Sequence, residues 1–348
     1  MIDKYDKLLG GLLGGAVGDA MGASTEIRTT EMIVDKWGHL VTDIIQAPED
    51  TWAHWSTKGQ VTDDFSVSYY HVLQIINDNG KITKEGAEKA VLDWFEDPNY
   101  SQCAGPTTRR SISRMKGETL PPTKQDRLLC VNSRASNGAA MKVGCVGLFD
   151  ACDIDKAIDD AIVMCKPTHD NTIALSGAAA IAAATAKAMD NRVSYLEVIQ
   201  AGIYGAEQGY LRSSEMKDVA PVAGPNMVKR IRYAVELGMR YQGNFNKAME
   251  VISKEIGGGL PAAEAVPSAF GYIAATKGNV MDTIIMAVNA GDDTDTVACM
   301  AGYIVGALNG FDRIPRRYLD LIEKANNFNL QKTASQIEKI LNSKENKA

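Results

Sequence analysis

Hydrophobic and polar positions along this chain recur at helical spacing, and no segment alternates as a strand does. The pattern predicts helices over 8–22, 62–79, 84–96, 154–165, 170–189, 194–210, 226–241, 245–255, 280–290, 294–309 and 316–327. A last helix over 330–342 carries Leu330, Ala334, Ile337 and Leu341 on one stripe and runs into the polar tail NSKENKA. Thr83-Lys84-Glu85-Gly86 and Ser194-Tyr195-Leu196-Glu197 read as helix starts, the second with the reciprocal Ser-x-x-Glu capping pattern. Connections rich in Pro and Gly fall at 97–106, 117–123, 219–225 and 256–261. None is long or polar enough to be an interdomain linker, and no fixed-period repeat is present. The reading is one all-α domain over 1–330, with irregular loops around 27–60 and 100–150, and a helix end and polar tail over 331–348.

Two helices stand out by their small residues. Gly10, Gly14, Gly18 and Gly22 recur every four positions and strip one face of its side chains. Each costs a helix about 1 kcal/mol relative to alanine. Another backbone or a ligand therefore comes very close, and tight helix packing is the simpler reading. The run IALSGAAAIAAATA (173–186) is 14 residues of mostly small side chains, too short and mild for a membrane span and suited to a core helix.

Composition narrows the function classes. Of 348 residues 45% are apolar, enough for a substantial core. The charge balance of 37 basic against 43 acidic residues, without a dense Lys/Arg block, argues against nucleic-acid or polybasic membrane partners. Six scattered cysteines without a C-x-x-C pair read as reduced thiols rather than a disulfide framework or zinc site. The mixed-charge N-terminus carries no signal-peptide pattern, and the expectation is a soluble cytoplasmic protein.

Candidate chemistry lies in two acidic clusters, Thr62-Asp63-Asp64-Phe65 and Asp292-Asp293-Thr294-Asp295-Thr296, each at a predicted helix start. Capping explains one such side chain, not three carboxylates. Clustered carboxylates repel unless a cation intervenes, and an oxygen-only set selects Mg²⁺, Mn²⁺ or Ca²⁺ over Zn²⁺ or copper. The spacing is not that of the twelve-residue calcium loop. If the two helix starts converge, they can hold two Mg²⁺ ions roughly 3.5–4 Å apart. The competing reading is capping plus surface charge. Three weaker signals accompany them. His169 stands in Lys-Pro-Thr-His-Asp-Asn, where a structural donor is the ordinary role. Asn137-Gly138 lies in a small-residue stretch that is either a ligand loop or a plain turn. Glu26, after the glycine-faced helix, is either functional or a solvated acid.

Together these stretches resemble the ADP-ribosylglycohydrolase family, which includes the dinitrogenase-reductase-activating glycohydrolases. The resemblance spans Leu8 to about Pro315 and rests on an ordered series: GGAVGDAMG with Glu26, TDD, NGAAM, THDN before the alanine-rich helix, EAVPSAF (264–270) and GDDTDTVACMAGYIVGA. It implies a compact all-α fold, a single orthogonal helical bundle, with two Mg²⁺ in a central cleft (Mn²⁺ also suits the ligands). Thr62, Asp63 and Asp64 match the first metal motif; Asp293, Asp295 and Thr296 match the second. Glu26 matches an acid beside the metals and the scissile ribose, and Asn137, Gly138 and His169 match positions lining the ligand pocket. Arg134 is placed to meet phosphate by charge.

The implied activity is hydrolysis of an ADP-ribosyl linkage, N- or O-ribosyl, by metal-activated water through an oxocarbenium-like transition state. Asp293 or Asp295 is the implied base, with Glu26 positioning substrate or assisting protonation. The implied substrate is an ADP-ribosylated protein or a ribosyl small molecule. The alternatives are a hydrolase of a smaller ribosyl compound such as a nucleoside, or a catalytically silent ligand-binding member. Three positions depart from the family pattern. Phe65 replaces the second Thr of Thr-Asp-Asp-Thr, and Asp292 replaces the second Gly of Gly-Gly-Asp-Thr-Asp-Thr. Arg134-Ala135-Ser136-Asn137-Gly138 replaces Ser-x-Gly-Asn-Gly, a segment that approaches the diphosphate. Asp292 either joins the metal site or caps the helix.

Overall fold

The computed structural model describes residues 2–121 and 132–345. Cys130 and the last three residues of the expected polar tail lie outside the described residues. Sixteen α-helices are present among the described residues: α1 Lys4–Gly22, α2 Thr30–Trp37, α3 Asp63–Asn77, α4 Lys84–Glu96, α5 Pro106–Met115, α6 Gly144–Phe149, α7 Ile154–Cys165, α8 Thr172–Ala188, α9 Tyr195–Ser214, α10 Met227–Arg240, α11 Phe245–Glu255, α12 Ala262–Ala275, α13 Val280–Asn289, α14 Thr294–Asn309, α15 Arg317–Asn326 and α16 Leu330–Glu345. No strand occurs among the described residues, only the isolated bridges Ser136–Pro261 and Asn171–Ala220. The all-α reading of the sequence therefore holds.

The core is organised around α1 and α14, which run antiparallel with their backbones in contact. A Cβ built on Gly14 would lie 2.2 Å from the Gly302 carbonyl oxygen, and one on Gly302 would lie 2.1 Å from the Gly14 oxygen. Gly10 meets Gly306 in the same way, and Gly18 abuts the Ala298 carbonyl at 2.2 Å. The glycine face of α1 is thus a helix-packing face for most of its length. At its last position the neighbour changes, since a Cβ on Gly22 would lie 2.4 Å from Asp295 Cα. Lys7, buried on α1, fixes the other end of the pair. Its Nζ donates to Ala188 O (2.7 Å), Ala307 O (3.2 Å) and Leu308 O (3.1 Å), closing the C-terminal ends of α8 and α14.

The predicted caps form. Thr83 accepts from Gly86 N, and Ser194 and Glu197 complete the reciprocal box. Leu330, Ala334, Ile337 and Leu341 are all buried. The alanine-rich α8 is buried along almost its whole length, as a core helix rather than a span. No helix among the described residues is long and apolar enough to cross a membrane.

Four helices, α2, α5, α6 and α12, fall where the sequence pattern shows loops or no element. The last is instructive because Pro267 sits inside it. Proline has no N–H for the carbonyl four residues back, which leaves Ala263 O without its helical donor. Arg230 Nε, from α10, donates to that oxygen at 3.0 Å. A side chain distant in sequence thus takes over the bond that proline removes, and local pattern cannot show it.

The α1–α14 seam has no room for a methyl group. Gly14→Ala should lower unfolding free energy by about 1–3 kcal/mol despite alanine's better helix propensity. Gly105→Ala, where nothing lies within 4 Å of the added carbon, should stay within about 0.5 kcal/mol of the parent. Urea unfolding followed by circular dichroism measures both, and a neutral Gly14→Ala contradicts the packing argument.

Candidate active site

The seam brings the C-terminal end of α1, the start of α3 and the start of α14 to one place. Asp19, the only charged residue in the buried half of α1 facing this point, is fully buried. Its two carboxylate oxygens accept from Thr62 N and Phe65 N, each at 2.8 Å. Asp19 therefore caps the first turn of α3 from another helix and fixes the orientation of the Thr62-Asp63-Asp64 motif. Within that motif Thr62 Oγ1 donates to Asp64 Oδ2 at 3.0 Å and lies 3.4 Å from Asp295 Oδ2. Thr296 Oγ1 donates to the other oxygen of Asp64 at 2.6 Å. The α14 start is held by Thr294, whose hydroxyl donates to Gly22 O at 3.0 Å and meets the Thr25 hydroxyl at 3.1 Å.

These contacts assemble two groups of carboxylates. Asp19, Asp64 and Asp295 each offer an oxygen within 4.8 Å of the others, and so do Glu26, Asp293 and Asp295. Asp295 belongs to both. Asp63 stands half-exposed beside them and in neither group. Burial, reinforced by mutual repulsion, pushes Asp64 and Asp295 well above the ordinary carboxylate range. Burial also lifts Asp19 to about 7, its two backbone donors working in the opposite direction. Glu26 is lifted to about 9, by burial and then by Asp293, Asp63, Asp19 and Asp292. Among the described residues no Lys, Arg or His forms an ion pair with any of them. The nearest candidate in sequence, Arg28, turns to Asp50 at 2.5 Å and to the carbonyls of Ser24 and Glu26. The donor set is thus all oxygen, buried apart from the half-exposed Glu26, and electrostatically unbalanced, which fits a hard divalent cation.

Asn137 joins this site from a separate loop. Its Nδ2 donates to Asp293 Oδ2 at 2.6 Å, while its backbone N–H donates to Leu260 O at 2.8 Å. Ala262 N donates to Ala135 O at 2.9 Å, so the 134–138 and 257–262 loops are tied together. Gly138 follows at a point where a Cβ would lie 2.8 Å from His169 Nε2. His169 is itself buried, with Nδ1 against Thr168 Oγ1 (2.9 Å) and Nε2 against Ser136 Oγ (3.1 Å). It stands behind the loop and supports it. Arg134 is half-buried, and its carbonyl accepts from Asn171 Nδ2 at 3.0 Å.

The three departures from the family pattern take different places. Phe65 points away from the carboxylates, with ring centroids 5.6 Å from Tyr303, 6.3 Å from Tyr69 and 6.1 Å from Phe328. Asp292 is exposed, belongs to neither carboxylate group and makes no cap. Its backbone has φ +66°, where glycine is at ease and Asp is among the better tolerated residues. There its N–H donates to Arg28 O and its carbonyl accepts from Ile27 N, each at 2.9 Å. Ser136 occupies a family glycine position and uses its side chain on His169. The site also contains Asp19, which no motif of the sequence singles out; its signal is a lone carboxylate within the glycine-faced, otherwise uncharged stretch 8–22.

The profile of the ADP-ribosylglycohydrolase family matches residues 1–347. The chain is similar to the uncharacterized protein YegU of Escherichia coli, 26% identical over 339 residues and 97% of each chain. It is also similar to the ADP-ribosylhydrolase ARH3 of Bos taurus, 25% identical over 278 residues, covering 74% of this chain and 72% of that one. A shorter match of 42 residues, 50% identical and covering 12% of each chain, is to the ADP-ribosylarginine hydrolase Tri1 of Serratia proteamaculans. Among solved structures an ADP-ribosylglycohydrolase-related protein complex shares the fold, with a TM-score of 0.68 at 20% identity over 98% of this chain and 99% of that one. This chain belongs to the ADP-ribosylglycohydrolase family, whose members are enzymes that cleave glycosyl bonds.

Proposed function

We propose that this protein is a magnesium-dependent hydrolase that removes ADP-ribose from a protein side chain or a small acceptor. The observation that carries the reading is the pair of carboxylate groups sharing Asp295, buried except for the half-exposed Glu26, with no basic partner among the described residues. Asp19, Asp64 and Asp295, with the Thr62 and Thr296 hydroxyls, would hold one ion. Glu26, Asp293 and Asp295 would hold a second, and Mn²⁺ suits the same donors. When bound, such a pair supplies Lewis acidity that lowers the pKa of water and orients ribose hydroxyls. The chain's own residues set the geometry. Thr62 and Thr296 orient Asp64, and Asn137 orients Asp293. Asp295 is engaged by Thr296 N at 3.1 Å and by the Thr62 hydroxyl, and Asp293 by Asn137, with Thr296 and Asp295 also acting on it. The base is one of these two carboxylates at the start of α14, Asp293 or Asp295. Glu26, half-exposed at the rim, positions the substrate sugar. Attack of water at the anomeric carbon proceeds as the bond to the leaving group breaks, through an oxocarbenium-like transition state.

Removal of divalent cations should abolish hydrolysis of ADP-ribosylated protein, and Mg²⁺ should restore it. Asp295→Ala should lose Mg²⁺ affinity measured by calorimetry. Asn137→Ala, which removes only an orienting partner, should lower kcat/KM by roughly 10–100-fold. Turnover of nucleosides alone would replace the ADP-ribosyl assignment, and unchanged Mg²⁺ affinity in Asp295→Ala would remove its foundation.

The metal-free protein should also show a pH signature. Asp19 and Glu26 have folded pKa values raised to about 7 and about 9. Between the unfolded carboxylate values and these, the folded chain binds more protons, so its stability falls as pH rises. Thermal unfolding in chelator should thus weaken steadily from pH 5 to pH 9. Saturating Mg²⁺ should flatten the profile and add about 2.7 kcal/mol at a hundredfold excess over Kd. A chelated protein whose stability rises over that window contradicts the site's electrostatics.

A further inference from the structure

A groove of about 770 Å³ opens beside the carboxylates, between α2 and α11, and no assigned role uses it. Its floor is nearly bare backbone, from Gly257 and Gly258 on one side and Ala290 and Gly291 on the other. Three backbone bonds join its inner end to the site. Asp293 N donates to Gly258 O at 3.2 Å, Ile27 N to Asp292 O at 2.9 Å, and Asp292 N to Arg28 O at 2.9 Å. Ile27 and Asp292, which both line the groove, therefore stand one residue from Glu26 and Asp293.

The walls carry two kinds of chemistry. Ile27, Met32 and Val34 line the groove with 48%, 52% and 38% of their surface exposed, an apolar patch with polar neighbours. Ile27 does so at φ +60°, a region that disfavours β-branched side chains, so the fold keeps a strained and uncovered isoleucine next to Glu26. Of the five charged side chains lining the groove, three are acidic. Arg28 is engaged by Asp50 at 2.5 Å, and Glu250 takes Lys247 and Lys254 at 3.1 Å each. Glu31 and Asp292 are left without an ion-pair partner among the described residues. A diphosphate would meet two unmatched carboxylates and no free cation here, so the groove disfavours the nucleotide end of a substrate. A chain with apolar and basic side chains complements both walls, and a floor without side chains lets its backbone come close.

We propose that this groove receives the acceptor side of the substrate, a polypeptide segment with basic and apolar side chains that leads to the ADP-ribosylated residue at the carboxylates. Glu31 and Asp292 meet its basic side chains, and Ile27, Met32 and Val34 meet its apolar ones. Asp292 stands where the family pattern has glycine, so its charge on this wall is particular to this chain. The protein then selects among modified proteins by the sequence around the modified residue, since the nucleotide is common to all of them. The segment's role as substrate rests on the ADP-ribosyl reading above, but the groove's affinity for such a polypeptide does not.

Two measurements test it separately. In carbon-13 methionine-methyl NMR, Met32 and Met249, which both line the groove, are assigned by their loss in Met32→Leu and Met249→Leu. An unmodified peptide of alternating Arg and Leu should shift both signals and leave Met239, exposed on α10 outside the groove, in place. Glu31→Lys and Asp292→Gly should each weaken that titration about fivefold, as for one exposed ion pair. Unmoved Met32 and Met249, an equal shift of Met239, or shifts that follow the protein's own concentration, as a second copy in the groove would give, overturn the proposal. In turnover with Mg²⁺, an ADP-ribosylated peptide flanked by Arg and Leu should show a KM about fivefold higher in Glu31→Lys than in the parent, at equal kcat. The same ADP-ribosylated amino acid without flanks should be cleaved equally by both. An unchanged KM for the flanked peptide in both Glu31→Lys and Asp292→Gly rejects the groove's part in substrate choice. If the parent cleaves neither compound, the ADP-ribosyl reading and the substrate role fail together, and the methyl titration still decides whether the groove takes a polypeptide.

Discussion

The structure depends on two helix backbones touching. Where α1 and α14 cross, carbonyl oxygens of one helix occupy the space that side chains would fill on the other, at Gly10, Gly14 and Gly18 against Gly306, Gly302 and Ala298. Side chains on ordinary helices hold axes about 8–10 Å apart. Without them the two helices approach closely enough for Gly22, at the end of α1, to rest against Asp295 at the start of α14. Asp19, one turn earlier, then reaches both α14 and the first turn of α3. A looser crossing would leave the same residues in sequence but separate the carboxylates. The glycines are therefore part of the site although none need touch a ligand.

A second constraint works against the first. Packing brings together carboxylates that repel and that burial disfavours in their charged form. The fold distributes this tension by giving most of them structural partners. Asp19 satisfies two orphan N–H groups of α3, Asp64 accepts from two threonine hydroxyls, and Asp293 is held by Asn137. Each bond favours ionisation and fixes direction, yet none supplies positive charge. Neutral donors orient the set and leave the charge for a cation to balance, so rigid geometry and cation affinity arise from the same arrangement.

How much of this was legible in the sequence follows the range of the interactions. Long helices with continuous apolar stripes, such as α9 and α16, and caps within one turn, such as Ser194 with Glu197, are local and were readable. The two acidic clusters were readable because no local role explains three carboxylates. What escaped depends on partners far along the chain. Helix α12 tolerates Pro267 because Arg230 reaches across from α10. Asp19 has no local signature of its role because its two partners, Thr62 N and Phe65 N, lie at the start of α3, more than forty residues on. The glycines of α1 are legible as a packing face, whereas which helix they meet is not: their partners Ala298, Gly302 and Gly306, at the same spacing of four, lie nearly three hundred residues on.

The family departures sort by the same physical logic. At Phe65 the backbone N–H does the site's work by bonding Asp19, so the side chain is free to join the aromatic cluster around Tyr303. At Asp292 the requirement is a positive φ and two backbone bonds to the 27–28 segment, which Asp meets at a modest cost in place of glycine. Neither substitution alters an oxygen of the two carboxylate groups. Ser136 is different, because it puts a side chain where the pattern has none, on a loop bonded through Asn137 to Asp293. Substitutions at backbone-defined positions leave the two carboxylate groups intact, whereas Ser136 adds a hydroxyl to the loop that Asn137 ties to Asp293, so the geometry of the carboxylates is held by α1, α3 and α14 and by a side chain from that loop.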